Sequence, residues 1–177
     1  MDISEILKNK INNLDEIAKS ITEESQLGLL FEGLTSKDDK YRYNCFLLLG
    51  KISSVKVSWI YDKWDFLVNL LDSVNSYQRN IGLVLLANLS LSDTENKFEN
   101  IIDKYLSHCN DEKFITQRQC IQNVWKIALN KPGLKDKIVN YLKRLDYGKH
   151  SNLIEMDIQN ALKKINSLDP YLISMNQ

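Results

Sequence analysis

The chain is poor in residues that interrupt helices: two prolines and six glycines in 177 positions. Proline lacks the N–H a helix needs and clashes with the preceding turn, and glycine weakens a helix entropically, so long uninterrupted helices are favoured. Charge of one sign is not in excess. Twenty-three basic side chains meet 23 acidic ones, which argues against wholesale nucleic-acid or anionic-membrane binding, because both draw on surplus positive charge. A local basic stripe remains compatible with that balance. Cysteine is sparse and odd in number, at Cys45, Cys109 and Cys120. A small secreted disulfide scaffold would carry a denser and even set, so these read as reduced thiols of a cytoplasmic protein. No run approaches the roughly 18 apolar residues of a membrane span. The opening MDISEILKNKINNLDEI carries acids and no apolar stretch of signal-peptide length.

Motifs for chemistry are also lacking. The sequence contains no glycine-rich phosphate loop, no His-Glu-x-x-His and no Gly-x-Ser-x-Gly. Histidine occurs twice, and His108-Cys109 with Cys120 has neither a CxxC pair nor a second histidine at zinc-like spacing. The expectation is a non-enzymatic protein with no metal and no cofactor. Cys45 and Cys120 fall on core-facing positions, where a thiol packs as a small apolar group.

What the chain does have is a segment that occurs twice. Residues 42–52 read RYNCFLLLGKI and residues 79–89 read RNIGLVLLANL, offset by 37 positions. Each begins with Arg, has a small residue fourth, leucines seventh and eighth, Gly or Ala ninth, and Ile or Leu eleventh. Self-similarity at a period of about 20–50 residues signals stacked repeats, which build a surface rather than a pocket. Extending the columns gives Ile52, Leu89, Ile127 and Ile165, then Leu49, Leu86, Val124 and Leu162, then Leu48, Leu85, Asn123 and Ala161. Trp125 and Lys163 replace the small residues Gly50 and Ala87 of the ninth column. The third repeat can begin at Gln117 or at Arg118. The second choice makes Ile121, Val124, Trp125, Ala128 and Leu129 its core set, and the sequence leaves both open.

Apolar spacing of three and four predicts helices throughout. The first covers residues 3–20 and carries a heptad-like stripe of Leu7, Ile11, Leu14, Ala18 and Ile21, suited to capping the first repeat or to pairing two copies through residues 7–21. Four pairs follow: 22–34 with 40–54, 59–72 with 77–91, 95–109 with 113–130, and 134–146 with 150–168. Short polar turns between helices make antiparallel neighbours. Pro132-Gly133 marks a helix boundary, and Pro170 ends the last helix before a tail over 169–177. The whole of 1–177 then reads as one domain: a cap over 1–21, repeats over 22–168, and the tail.

Asp39-Lys40-Tyr41-Arg42 through Leu49-Gly50-Lys51-Ile52 resembles the second helix of a HEAT repeat, where a turn Asp and a hydrophobe-Arg pair lead into Leu-Gly-x-Ile. The segment from Arg79 to Leu86-Ala87-Asn88-Leu89 is similar, with Asn75 in place of the turn Asp. The third pair keeps Asp111, and the fourth keeps the apolar spacing with Glu155 where Arg is expected. The resemblance implies an all-α, right-handed α-α superhelix, an armadillo-like solenoid of about four helix pairs plus the N-terminal capping helix. It implies a concave face of second helices that holds a protein or peptide partner. It also implies that the recurring Arg ties neighbouring repeats together. Two other activities occur in HEAT-like proteins, nucleic-acid binding with DNA glycosylase chemistry and chromophore handling by lyases. The first would need a continuous basic groove with an exposed Trp and a carboxylate.

Two groups of residues are candidates for contact. Lys51, Asn88, Lys126 and Lys164 share the tenth column and form a polar, mostly basic ridge if the helices stack in register, a track for an acidic peptide. Leu47 and Val84 occupy the sixth column beside it, with Gln122 and Asn160 following. Trp59 and Tyr61 flank the core-facing Ile60, Trp64 and Leu67 and are candidate interface aromatics.

Overall fold

The structure is a computed structural model that describes residues 3–8, 13–21, 25–147 and 151–167. Ile11 and the tail over 169–177 lie outside the described residues. All regular structure among the described residues is helical. The fold divides into two compact units, Met1–Lys63 and Trp64–Gln177.

The first unit contains α1 (Ile3–Lys8), α2 (Leu14–Ser20), α3 (Ser25–Gly33), α4 (Asp39–Val55) and α5 (Val57–Tyr61). Helix α4 is its centre, and the other four pack on it. It begins where Asp38, in extended conformation, accepts from the amides of Lys40 at 2.9 Å and Tyr41 at 3.0 Å, which satisfies donors a helix start otherwise leaves bare. Its buried face is Cys45, Leu48, Leu49 and Ile52. Asn44 donates from Nδ2 to the Leu7 carbonyl at 2.8 Å and fastens α1 to α4.

The helix expected over residues 3–20 is broken. Asn13 is extended (φ −135°, ψ 81°) and its side chain accepts from the Glu16 amide, so a new helix starts at Leu14. An Asn side chain bonds nearby backbone better at a cap than inside a helix. The apolar stripe is spent within the chain: Leu7, Ala18 and Ile21 are buried, and α1 and α2 both lie on α4. The helix expected over 59–72 is also two pieces. Asp62 and Lys63 form a turn in which the Lys63 amide donates to the Ile60 carbonyl at 2.9 Å. The stripe Ile60, Trp64, Leu67 and Leu71 stays buried on both sides of it, which is why its periodicity hides the break.

The second unit holds α6 (Trp64–Leu70), α7 (Ser76–Leu89), α8 (Phe98–Ser107), α9 (Phe114–Asn130), α10 (Pro132–Arg144) and α11 (Ser151–Ser167), with 3-10 turns at Ser90–Ser92 and His108–Asn110. Helices α7, α9 and α11 lie side by side, α9 in the middle, while α6 packs on α7 and α10 contacts α8, α9 and α11. Within this unit the predicted columns are physical. Leu89, Ile127 and Ile165 are buried, as are Leu86 and Val124, with Leu162 half-buried. Each buried Leu or Ile contributes about 1.5–3 kcal/mol by leaving water. Asn123 interrupts its column. It is half-buried and donates from Nδ2 to the Gln119 carbonyl at 2.9 Å. An aromatic cluster backs α7: Trp64 meets Phe98 edge-on at 4.9 Å, Phe98 meets Tyr105, and the Tyr105 hydroxyl donates to the Leu83 carbonyl at 3.0 Å. Trp64 is therefore core, as its spacing predicts.

Helix α8 starts at Phe98 rather than 95, because the buried Asp93 carboxylate accepts from the amides of Lys97 at 2.8 Å and Phe98 at 3.1 Å. Pro132 opens α10 in its first turn, the position where its missing N–H is harmless.

The small residue of the fourth column has a defined task at Gly82. A Cβ there would stand 2.9 Å from the Leu67 carbonyl oxygen of α6 and 3.1 Å from Leu70 and Leu71 side-chain carbons. Gly28, on α3, has nothing within 4 Å of such a Cβ. Gly82→Ala should lower stability by about 1–3 kcal/mol through overpacking, and Gly28→Ala should raise it by up to about 1 kcal/mol through helix propensity. Urea denaturation of the two variants checks the opposite signs.

Candidate functional site

The recurring arginines are ties, with geometry that changes along the chain. Arg42 donates from Nη1 to the Ser36 carbonyl at 2.6 Å and pairs with Asp39 at 2.5 Å. Arg79 repeats the first contact one period later, from Nη1 to the Ser73 carbonyl at 2.8 Å. It adds a two-pronged grip on Asp111, at 2.8 Å from Nε and 2.7 Å from Nη2. Asp111 also accepts from the Lys113 amide at 2.9 Å and lies 3.0 Å from His108 Nδ1. Burial opposes ionisation of Asp111, but Arg79, the Lys113 amide and His108 together outweigh it and hold its carboxyl below the ordinary value. Arg118 grips Asp157 of α11 in the same two-pronged way, at 2.5 and 3.1 Å. Gln122 donates to the same carboxylate at 2.8 Å.

The third repeat contacts the second in the Gln117 register: Lys126 Nζ donates to Asn88 Oδ1, 38 positions earlier, at 2.6 Å. Burial does not choose between the registers, since Ile121, Ala128 and Leu129 are buried as well as Cys120, Val124 and Ile127. The cation of the third repeat comes one position later, at Arg118.

The tenth-column ridge is present in the second unit, but it is not four exposed side chains. Only Lys164 is exposed. Lys126 on α9 is half-buried and donates to Asn88 Oδ1 of α7 at 2.6 Å and to Asn123 Oδ1 at 2.9 Å. Trp125, in place of the small Gly50 and Ala87, stands beside it, and Asn123, in place of Leu48 and Leu85, accepts from it. Burial first, and then the charge of Lys164, push the Lys126 ammonium down to about 8. Both ammonium groups lie near one indole: Lys164 Nζ is 4.7 Å and Lys126 Nζ 6.0 Å from the Trp125 ring centroid, within reach of a cation–π attraction.

Between α9 and α11 lies a recess of about 360 Å³ lined by Gln122, Asn123, Trp125, Asp157, Asn160, Ala161 and Lys164. Gln122 and Asn160 are the polar half of the sixth column. Trp125, Asp157 and Asn123 were not singled out from sequence as contact residues. The available signal was Trp125 standing where the repeat has Gly50 or Ala87.

In the first unit, Lys51 is committed to an ion pair with Asp15 of α2. The hydrogen bond from Lys51, then its charge, holds the Asp15 carboxyl low. Leu47 is half-buried, and so is Val84 on α7 of the second unit. Trp59 is half-buried under the Lys56 ammonium, 4.3 Å from its ring centroid, and Tyr61 is half-buried. Lys56 in turn donates to the Ile21 carbonyl at 2.5 Å.

Cys109 and Cys120 are buried with their sulfurs 3.3 Å apart, and Cys120 contacts the Tyr105 carbonyl at 3.2 Å. Among the described residues no three His, Cys, Asp or Glu side chains cluster as metal ligands do, and no helix is long and apolar enough to cross a membrane.

No family model matches the chain, and no curated protein is significantly similar to it. Solved structures are similar in fold. Three are crystal structures of engineered proteins from the Northeast Structural Genomics Consortium. One has a TM-score of 0.62 at 22% identity, covering 93% of this chain and 70% of that one. A second has a TM-score of 0.62 at 23% identity over 87% of this chain and 69% of that one. A third has a TM-score of 0.61 at 22% identity over 94% of this chain and 43% of that one. At these identities the likeness shows the fold alone. The described residues form an all-helical fold consistent with stacked helical repeats.

Two outcomes follow from the buried groups. Asp111→Asn leaves the Arg79 guanidinium buried without its counter-charge and should cost about 3 kcal/mol in urea denaturation at pH 7. Because the folded pKa of Asp111 is depressed, its contribution is present above the unfolded value near 3.9 and is lost as pH falls through the folded value. The gap between wild type and variant should therefore close in acid. Burial also pushes the Cys45 thiol up to about 12 and Cys120 well above its ordinary value. At pH 8 a thiol-specific disulfide reagent should label the native protein slowly and reach Cys45, Cys109 and Cys120 only after denaturant is added.

Proposed function

We propose that the chain is a non-enzymatic scaffold that holds a protein or peptide segment of acidic character along the face formed by α7, α9 and α11. The observation that carries this reading is the linked polar track Asn88–Lys126–Lys164. It crosses three adjacent helices, joined by the 2.6 Å Lys126–Asn88 bond and by the shared Trp125 ring. Side-by-side second helices are the elements that line the concave face of HEAT-like solenoids. On this reading the chain is a short right-handed HEAT-like superhelix working in the cytoplasm without metal or cofactor. The burial of Leu7, Ala18 and Ile21 against α4 supports a monomer over a dimer formed through residues 7–21.

The second reading is a nucleic-acid binder or DNA glycosylase. The recess does bring an indole, a carboxylate and one lysine, Lys164, together. Asp157, however, has both oxygens occupied by Arg118 and Gln122, which supports a structural role over that of a general base. The balanced charge of the chain also favours a peptide.

Binding should be measured against acidic and basic peptide pools and against labelled single- and double-stranded DNA, at two salt concentrations. Acidic peptides should bind, and Lys164→Glu should weaken them at least tenfold with unchanged circular dichroism. Salt-steep DNA binding, or base release from alkylated DNA, would replace this reading with the second.

A further inference from the structure

Two like charges meet at Trp125 with no acid to answer them. Among the described residues, neither Lys126 nor Lys164 forms an ion pair, whereas several other cations of the second unit do: Lys104 with Asp72, Arg79 with Asp111, Arg118 with Asp157, Lys131 with Asp93 and Lys137 with Asp103. The one carboxylate in the recess, Asp157, is already held by Arg118 and Gln122. Lys126 uses two of its three donors on the amide oxygens of Asn88 and Asn123. Lys126 adjoins the recess through Asn123 and Trp125, and Lys164 lines it together with the amides of Asn160 and Gln122 and the apolar indole.

We infer that the recess between α9 and α11 is a subsite for a single anionic oxygen group, a carboxylate or a phosphate ester, presented on a partner side chain and held between Lys126 and Lys164 beside the Trp125 indole. The inference rests on the peptide-binding reading above and names what that face recognises. Charge-assisted hydrogen bonds from ammonium groups to such oxygens are the stronger kind, and the recess of about 360 Å³ admits the side chain that bears the group. An anion there would remove the repulsion that the Lys164 charge exerts on Lys126.

The occupant should make the site draw in a proton. Burial and then the Lys164 charge push the Lys126 ammonium down to about 8, and a bound anion favours its charged form. The charged groups around it are Lys164 and Asp157 from α11 and Arg118 on α9 itself. The contact from α7 is the neutral Asn88. Affinity should then fall between pH 7 and pH 9.

The test uses the full chain, labelled with nitrogen-15, and follows the Trp125 indole N–H, assigned by its disappearance in Trp125→Phe. Sulfate, standing in for a phosphate ester, and acetate, for a carboxylate, are titrated at constant ionic strength set with sodium chloride. A saturable shift is expected for at least one ion, with the tighter one naming the group. The shift should be lost in Lys164→Gln, at an exposed position, weakened at least tenfold in Lys126→Met, and weaker at pH 9 than at pH 7. If Lys126→Met does not fold, Lys164→Gln carries the comparison. Shifts no larger than those from chloride, or a saturable shift that survives Lys164→Gln, overturn the subsite. Small anions that bind when acidic peptides do not keep the subsite and remove the peptide reading. Acidic peptides that bind Lys164→Gln with undiminished affinity remove the subsite and keep the peptide reading.

Discussion

The second unit is organised around the ion pair of Arg79 and Asp111. Both side chains are nearly inaccessible, at 8% and 5% exposure, so neither charge is tolerable without the other. Desolvating two ions costs several kcal/mol each, and attraction offsets that cost only when the geometry is good and the remaining polar atoms are satisfied. Here they are. Arg79 spends its other donors on the carbonyls of Ser73 and Val74, in the turn before α7. Asp111 accepts from the Lys113 amide and meets His108, at either edge of the turn before α9. One pair thereby fixes two turns, and the start of α7 is held against the start of α9. Once those starts are set, the columns of Leu86 with Val124 and Leu89 with Ile127 follow along the two helices.

A second polar tie recurs with the same period. Lys56, Asp93 and Lys131 each follow a second helix, 37 and 38 positions apart. Lys56 reaches back to the Ile21 carbonyl in the first unit. Lys131 reaches back to Asp93, bonding its carbonyl and pairing with its carboxylate at 3.1 Å. Asp93 is buried because it has this counter-charge and two amides to accept from. Polar ties of this kind do not announce themselves in an apolar pattern, since a lysine after a helix reads as an ordinary solvated end.

The apolar columns were legible because burial acts on the repeats in the same way, and the arginine ties were legible because Arg42 and Arg79 each donate to the carbonyl six residues back, one period apart. The helix breaks were not. A hydrophobic stripe records which residues are inside, and Leu7 and Ala18, or Ile60 and Trp64, remain inside whether or not the helix between them is continuous. Asn13, which caps α2, is the local feature that marks the first break. Asn88 and Lys126 of the tenth column meet, yet Lys126 is half-buried where the pattern reads as a ridge in water. Its burial depends on Trp125 and Asn123, which depart from the repeat, and departures carry no periodic signal. For the same reason the recess was invisible: it exists where the repeat is imperfect.

The change from Asp111 to Asp157 alters what the connections between helices must do. In the pairing of α7 with α9 the acid that answers the arginine belongs to a turn, so that turn must keep its length and course for the charge to arrive. In the pairing of α9 with α11 the acid sits within α11, seven residues into the helix. The lock has moved from the hinge to the door. The Arg118–Asp157 tie therefore asks nothing of the length of the segment between α10 and α11, whereas the Arg79–Asp111 tie does ask it of the turn before α9.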